Sequence, residues 1–296
     1  RALSNNGQKA VHPLTTPLMY DDPTTKELGV HEIESAIDFM EKQFGRKFDW
    51  DAFIRHCEAT NQVNREEMER WDIYCKTDNG CLNAICQGMY RIYFYQQGGT
   101  KYFAKSSAKT LKLMYECVEK NIKPFPNTRH RALAWSCGST YYCHGVGWLY
   151  NCWGILAVIN MDSLTGHNLI DTEDRETMME DLADWYSHTP MRTHTVGGNR
   201  HIMQMWETAE KFNCDTIIMY DDIGCKGMAG AQGLLEEEFA KHRDKFHIIW
   251  MPHSLMDCRI VPTNEARRAV NQYMTDVLHE EPVDPSLVDF DDSMGW

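Results

Sequence analysis

Four short apolar runs constrain what the carboxyl-terminal half of this chain can become. "RALAWSC", "ILAVIN", "DTIIMY" and "FHIIWM" lie near residues 132–136, 155–160, 215–220 and 246–251. Each has the length of a buried strand and falls short of a helix. Between and after them lie stretches with helical spacing: "YYCHGVGWLYNCW", "TEDRETMMEDLADWYSH", "NRHIMQMWETAEKFN", "GMAGAQGLLEEEFAKH" and "TNEARRAVNQYMTDVLHEE". Thr172 is a candidate cap for the second of these, and Thr263 or Asn264 for the last. Strands that alternate with helices pair in parallel, because a helical crossover returns the chain to the same end of the sheet.

The preceding region has a different texture. Residues 1–29 carry "HPLTTPLMYDDPTTKELG", with three prolines, and read as an extended linker. The chain opens on Arg1 rather than methionine, and we expect an amino-terminal domain to be missing from it. From Val30 the apolar spacing turns helical: Ile33, Ile37, Met40 and Phe44 share a face, and Gly45 ends it. "FDWDAFIRHCEATNQVNREEMERWDIYC", which Asp49 or Asp51 can cap, "CLNAICQGMYRIYFYQQ" and "AKSSAKTLKLMYECVEKNI" follow as helices. The expected layout is therefore α/β. A helical region at 30–128 precedes a four-stranded parallel Rossmann-like sheet, with helices on both faces, at 129–280. An acidic tail at 281–296 closes the chain, a candidate for lying on a partner.

A net charge of −13 argues against nucleic acid or an anionic membrane as the main partner. No apolar run reaches the ~20 residues that span a bilayer. Eleven cysteines, an odd number spread along 296 residues, fit free thiols in a reducing, cytoplasmic setting.

Ligands of an open parallel sheet bind beyond the carboxyl ends of its strands. Four loops qualify. "SCGSTYYCHG" holds Cys137, Gly138, Ser139 and Thr140, where glycine allows close backbone approach to a ligand, or simply a turn. Cys137, Cys143, His144 and Cys152 can be drawn as a zinc set, but their C-x₅-C and C-x₈-C spacings are wider than zinc pairs use. "NMDSLTGHN" is the second. "DDIGCKGMAG" places Cys225 at the start of a helix, where free N–H groups and the helix dipole favour thiolates, suited to metal binding or nucleophilic attack. "MPHSLMDCR" offers Asp257 and Arg259, a pair that can fix the loop. "GGNRH", Gly197 to His201, precedes a helix and is a weaker anion-site candidate.

The order of these pieces is more specific than any one of them. "GRKFDWDAFIRHCEATNQVNR", "RALAWSCGS", "CDTIIMYDDIGCKGMAG" and "IIWMPHSLMDCRIVPTNEARRAVNQYM" together resemble the 2-hydroxyacyl-CoA dehydratase family, which includes benzoyl-CoA reductase subunits. The resemblance covers roughly residues 14–280. It implies a subunit of an anaerobic lyase that carries a [4Fe-4S] cluster and pairs with a homologous second subunit. An ATP-dependent iron–sulfur activator or electron donor would supply one electron. The acyl-CoA substrate, a (R)-2-hydroxyacyl-CoA, would lose water through a ketyl radical. Reduction of an aromatic acyl-CoA is the alternative activity, with Tyr141, Tyr142 and Trp148 as candidate platforms for a flat substrate. A non-catalytic iron–sulfur electron-transfer or scaffold subunit, or a metal-free binding protein, is the alternative role. Residue by residue, Cys225 matches the family's carboxyl-terminal cluster cysteine, and the Cys137–Thr140 loop would face cluster or substrate. Arg267 or Arg268 would stand in the closing helix. The other cluster cysteines of the family belong to an amino-terminal domain that this sequence lacks. "SCGS" and "MDCR" also depart from the family's usual Gly-Pro and D-P-R.

Overall fold

The computed structural model describes residues 10–15, 23–84, 86–87, 96–136, 145–164, 168–187, 199–255, 257 and 259–289. Among these, helix α1 (Pro23–Phe44) begins at Pro23 rather than Val30. Proline suits a first helical turn, where its missing N–H and fixed φ cost nothing. The stretch expected to stay extended to residue 29 is therefore helical from residue 23 on. Gly45 ends α1 at φ 62°.

Helix α2 (Trp50–Lys76) starts where the sequence indicates, with Asp49 accepting from the Ala52 N–H at 2.8 Å. Helix α3 (Lys101–Glu119) is capped by Thr100 and packs on α2 through Val63, Phe103 and Ala104. The helix expected between them lies mostly outside the described residues.

The four strands form one parallel sheet: β1 (His130–Trp135), β2 (Ile155–Asn160), β3 (Thr216–Asp222) and β4 (His247–His253), in the order β2-β1-β3-β4. The connecting helices are α4 (Gly145–Trp153), α5 (Arg175–Ser187), α6 (Asn199–Lys211) and α7 (Lys226–Lys241), and α8 (Thr263–Gln272) follows β4.

Alternate side chains along β1, β3 and β4 feed two separate cores, as a pleated strand requires, while β2 breaks the alternation at Val158 and Ile159, where its register with β1 shifts. Leu133, Trp135, Ile217, Met219 and Ile248 face α2, α3, α6 and α7. Ala132, Ala134, Ala157, Ile218, Ile249 and Met251 face α4 and α8. The three alanines leave room on that second face for Trp148 and Trp153 of α4. Each fully buried large apolar side chain contributes roughly 1.5–3 kcal/mol.

Asn61 ties the helical region to the sheet domain. Its amide donates to Ile170 O at 2.7 Å and accepts from Ile170 N at 2.8 Å. Gly154, at φ 72°, turns the chain from α4 into β2; a Cβ there would lie 2.7 Å from Asn127 O.

Three expectations need correction. Helix α5 is capped by Asp174, whose carboxylate accepts from Thr177 N at 2.8 Å, and not by Thr172. Helix α8 follows Pro262 with no side-chain cap bond, so neither Thr263 nor Asn264 caps it. It stops at Gln272 and widens into a π turn at Tyr273–Val277, rather than running on to residue 281. His279 at φ 56° then reverses the chain. The described part of the acidic tail lies on its own chain. Val283 N donates to Cys152 O at 2.7 Å, Trp148 Nε1 to Leu287 O at 2.8 Å and Asn271 Nδ2 to Val288 O at 3.0 Å.

Among the described residues, strand β4 is an edge of the sheet. The N–H groups of its alternate residues turn toward β3, beginning with His247, which donates to Asp215 O at 2.8 Å. Ile248, Trp250 and Pro252 turn the other way. Ile248 N donates to the Tyr273 hydroxyl at 3.2 Å, and Pro252 has no N–H to offer.

Candidate functional site

In the strand order β2-β1-β3-β4, the connections from β1 and β3 leave in opposite directions. The crevice at the carboxyl ends of those two neighbours is where such sheets bind ligands. Its β1 side begins with Trp135, fully buried, whose indole donates to His201 Nε2 at 2.7 Å. Ser136 follows at φ 68°, a left-handed conformation unusual outside glycine and asparagine. The chain thus bends at Ser136, immediately before residues 137–144. Cys137, Gly138, Ser139 and Thr140, with Tyr141, Tyr142, Cys143 and His144, lie outside the described residues.

On the β3 side, the strand runs two residues further than the apolar pattern suggests. Asp221 and Asp222 pair in register with Pro252 and His253 of β4. Asp222 then organises both adjoining loops. Its Oδ1 accepts from Gly224 N at 3.1 Å and from Leu255 N at 3.2 Å, and its backbone carbonyl accepts from Cys225 N at 2.9 Å. Ile223 N donates to His253 O at 3.1 Å, a further tie between the loops.

Cys225 is the residue before the first turn of α7 and makes no side-chain cap bond. Its thiol is free and half-buried. A Cβ built on Gly227 would stand 3.8 Å from Cys225 Sγ, so the sulfur lies over the first helical turn.

The surrounding titratable groups are perturbed. Burial pushes the Asp221 carboxyl up and the neighbouring Asp222 charge adds to this, against His253. Burial pushes the His253 imidazole down, although Asp222 and Asp221 oppose it. His253 stacks on Tyr220 at 5.4 Å.

The remaining candidates fall away from this crevice or into structure. Arg259 clasps Asp257 with Nε at 2.8 Å and Nη2 at 2.7 Å, and its own N–H adds a third bond at 3.0 Å. The side-chain bond to Arg259 holds the Asp257 carboxyl down at about 2, so this exposed pair fixes its own loop. Cys152 is fully buried, and burial pushes its thiol up to about 11, the behaviour of a small core residue and not of a zinc thiolate. Trp148 is buried, with its indole engaged by Leu287 O. His201 turns inward to Trp135. Arg267 is buried, while Arg268 lies 3.6 Å from Glu265. Asp222 and His253 were not singled out from the sequence; the signal for them is a pair of acids closing an apolar strand.

The sequence model of the family described as 2-hydroxyglutaryl-CoA dehydratase, D-component, matches residues 1–252. The chain belongs to this family. It is accordingly a 2-hydroxyacyl-CoA dehydratase-like component, of a family generally associated with iron–sulfur cofactors. Comparison with curated proteins yields no match. Among the described residues of this dehydratase-family chain, no helix is long and apolar enough to cross a membrane.

Whether the chain suits a cluster can be judged from its donors. Cys225 offers a thiol outside any disulfide and without a cap bond, packed against the edge of the core at the start of a helix, which suits one iron ligand. Among the described residues, no three His, Cys, Asp or Glu side chains stand together as a metal set. Those residues therefore do not by themselves make up a complete cluster site.

Proposed function

We propose that this chain is a subunit of an iron–sulfur 2-hydroxyacyl-CoA dehydratase-like enzyme and that Cys225 is its iron ligand. The observation that carries the proposal is the position of Cys225. A thiol with no disulfide and no cap bond stands at the amino end of α7, at the carboxyl edge of β3, beside the point where the sheet connections diverge. The reaction proposed is loss of water from a (R)-2-hydroxyacyl-CoA to give the enoyl-CoA. A hydroxyl leaves C2 and a proton leaves C3, so substrate and product differ by water alone. A bound cluster would supply the one-electron chemistry that the resemblance implies, its further ligands coming from the amino-terminal domain that the resemblance implies, and a homologous second subunit would complete the enzyme.

The chain's own residues position and shield. Asp222 holds the Cys225 loop and the Leu255 loop to one carboxylate oxygen. Trp135 closes the base of the crevice against water. The 137–144 loop, with Cys137, Gly138, Ser139 and Thr140, is proposed to face the acyl-CoA.

The test is anaerobic iron and sulfide analysis of the co-purified complex, native and with Cys225→Ser. A sharp loss of iron in the variant supports the ligand role. Native iron content in the variant sinks it. Product analysis with 2-hydroxyacyl-CoA against aryl-CoA then separates dehydration from aryl-CoA reduction, and no turnover of either points to a scaffold subunit.

A further inference from the structure

His130 stands at the amino end of β1, the far edge of the sheet from the candidate site, and both its ring nitrogens meet carboxylates. Nδ1 lies 3.0 Å from Asp215 Oδ2, and Nε2 lies 2.9 Å from Glu280 Oε1. An ionised carboxylate only accepts hydrogen bonds. Both contacts are therefore satisfied together when both ring nitrogens carry protons. Removing one proton leaves a ring lone pair facing a carboxylate oxygen.

The other titratable and charged groups around the ring come from three directions. His247 of β4 meets it edge-to-face at 5.5 Å. Arg129 Nη1 lies 3.7 Å from Glu280 Oε2. Arg131 donates its backbone N–H to Asp215 Oδ1 at 2.9 Å, while its guanidinium turns away to Asp78. The hydrogen bond to Asp215 raises His130 above the ordinary imidazole value of 6.5; burial opposes this and Glu280 reinforces it.

Glu280 is the root of the carboxyl-terminal segment 280–289. Beyond it, Arg129 Nη1 donates to Glu281 O at 2.6 Å, and the segment then crosses α4 through Cys152 O and Trp148 Nε1. Leu287 and Val288 pack on the core between α4 and α8. Helix α4 is the element that directly follows the 137–144 loop.

We propose that His130 is a proton-operated clamp: as an imidazolium it locks Glu280, and with it the carboxyl-terminal strap, onto the sheet, and as a neutral ring it releases them. The folded-state value lies above the ordinary one, so the clamp is fully closed below about pH 6.5 and is lost as pH rises through the folded value. Release loosens the strap's hold on α4.

The test is hydrogen exchange of peptides covering 278–289 and 145–153, corrected for the intrinsic pH dependence of exchange, on the full chain from about pH 5.5 to 9. Opening of the strap should stay constant below about pH 6.5. It should then rise by up to about tenfold per pH unit and level off above the folded value. The deciding variant is Glu280→Gln. Its amide donates to the lone pair of a neutral His130, so the strap should stay closed with no step across this range. The His130 ring resonances should titrate above 6.5 in the native chain. A flat native profile, an equal step in Glu280→Gln, or titration of His130 at or below 6.5 would each overturn the proposal.

Discussion

The indole of Trp135 and the imidazole of His201 are joined at 2.7 Å, indole Nε1 donating to imidazole Nε2, with their ring centroids 4.9 Å apart. An indole N–H only donates, so Nε2 of His201 carries the lone pair and the tautomer is fixed. The bond holds the first turn of α6 against the carboxyl end of β1, directly below the candidate crevice. Trp135→Phe keeps most of the ring and removes the donor. It should cost about 1–3 kcal/mol, the penalty for a buried polar group left without its partner. The urea midpoint should fall with the slope of the transition unchanged.

Asp222 makes a prediction that separates geometry from charge. Asp222→Asn keeps a carbonyl oxygen for Gly224 N and Leu255 N, whereas Asp222→Ala removes the acceptor for both. The alanine variant should lose about 1 kcal/mol per bond and expose the Cys225 loop. Alkylation of the Cys225 thiol, followed by peptide mass analysis, should be faster in Asp222→Ala and close to native in Asp222→Asn. Equal rates in all three forms would show that Asp222 does not position the loop.

Asn61 pairs with the backbone of Ile170 through one donor and one acceptor. Asn61→Ala strands both backbone groups and should cost at least about 2 kcal/mol. Asn61→Asp should be no better, because a carboxylate cannot donate to Ile170 O. Chemical denaturation of both variants checks this, and a milder effect for aspartate would contradict it.

The His130–Asp215 pair gives a pH window for stability. Burial pushes Asp215 up, but the hydrogen bond and charge of His130 outweigh it, and the carboxyl ends below its ordinary 3.8. A depressed carboxylate stabilises the fold above its unfolded value and loses that contribution as pH falls through the folded one. A raised histidine does the reverse, stabilising fully below 6.5. The pair therefore contributes most between about pH 4 and 6.5. The difference in urea midpoint between native chain and Asp215→Asn should peak in that interval and shrink on either side.

Much of this architecture is legible in the sequence because β2, "ILAVIN", is apolar from Ile155 to Ile159, follows Gly154 and ends on Asn160. Strand β3 is legible only to Tyr220, since Asp221 and Asp222 look like loop and are held in the ladder by pairing with β4. The start of α1 is hidden because proline and threonine carry no apolar stripe. Cys225 stands out locally, by its place before a helix. The role of Asp222 does not, because one of its partners, Leu255, belongs to another loop. His201, read as part of an anion loop, belongs to Trp135, 66 positions away, and no local pattern announces such a bond.

The outer edge of β4 has a consequence for how this subunit meets others. The Tyr273 hydroxyl occupies the Ile248 N–H, and Pro252 removes a second donor. A foreign strand laid along that edge would find one free N–H, that of Trp250, among the three outward residues. Sheet extension from one molecule into the next is thus obstructed there. A quaternary assembly that includes this chain is therefore expected to form through surfaces other than strand addition at that edge.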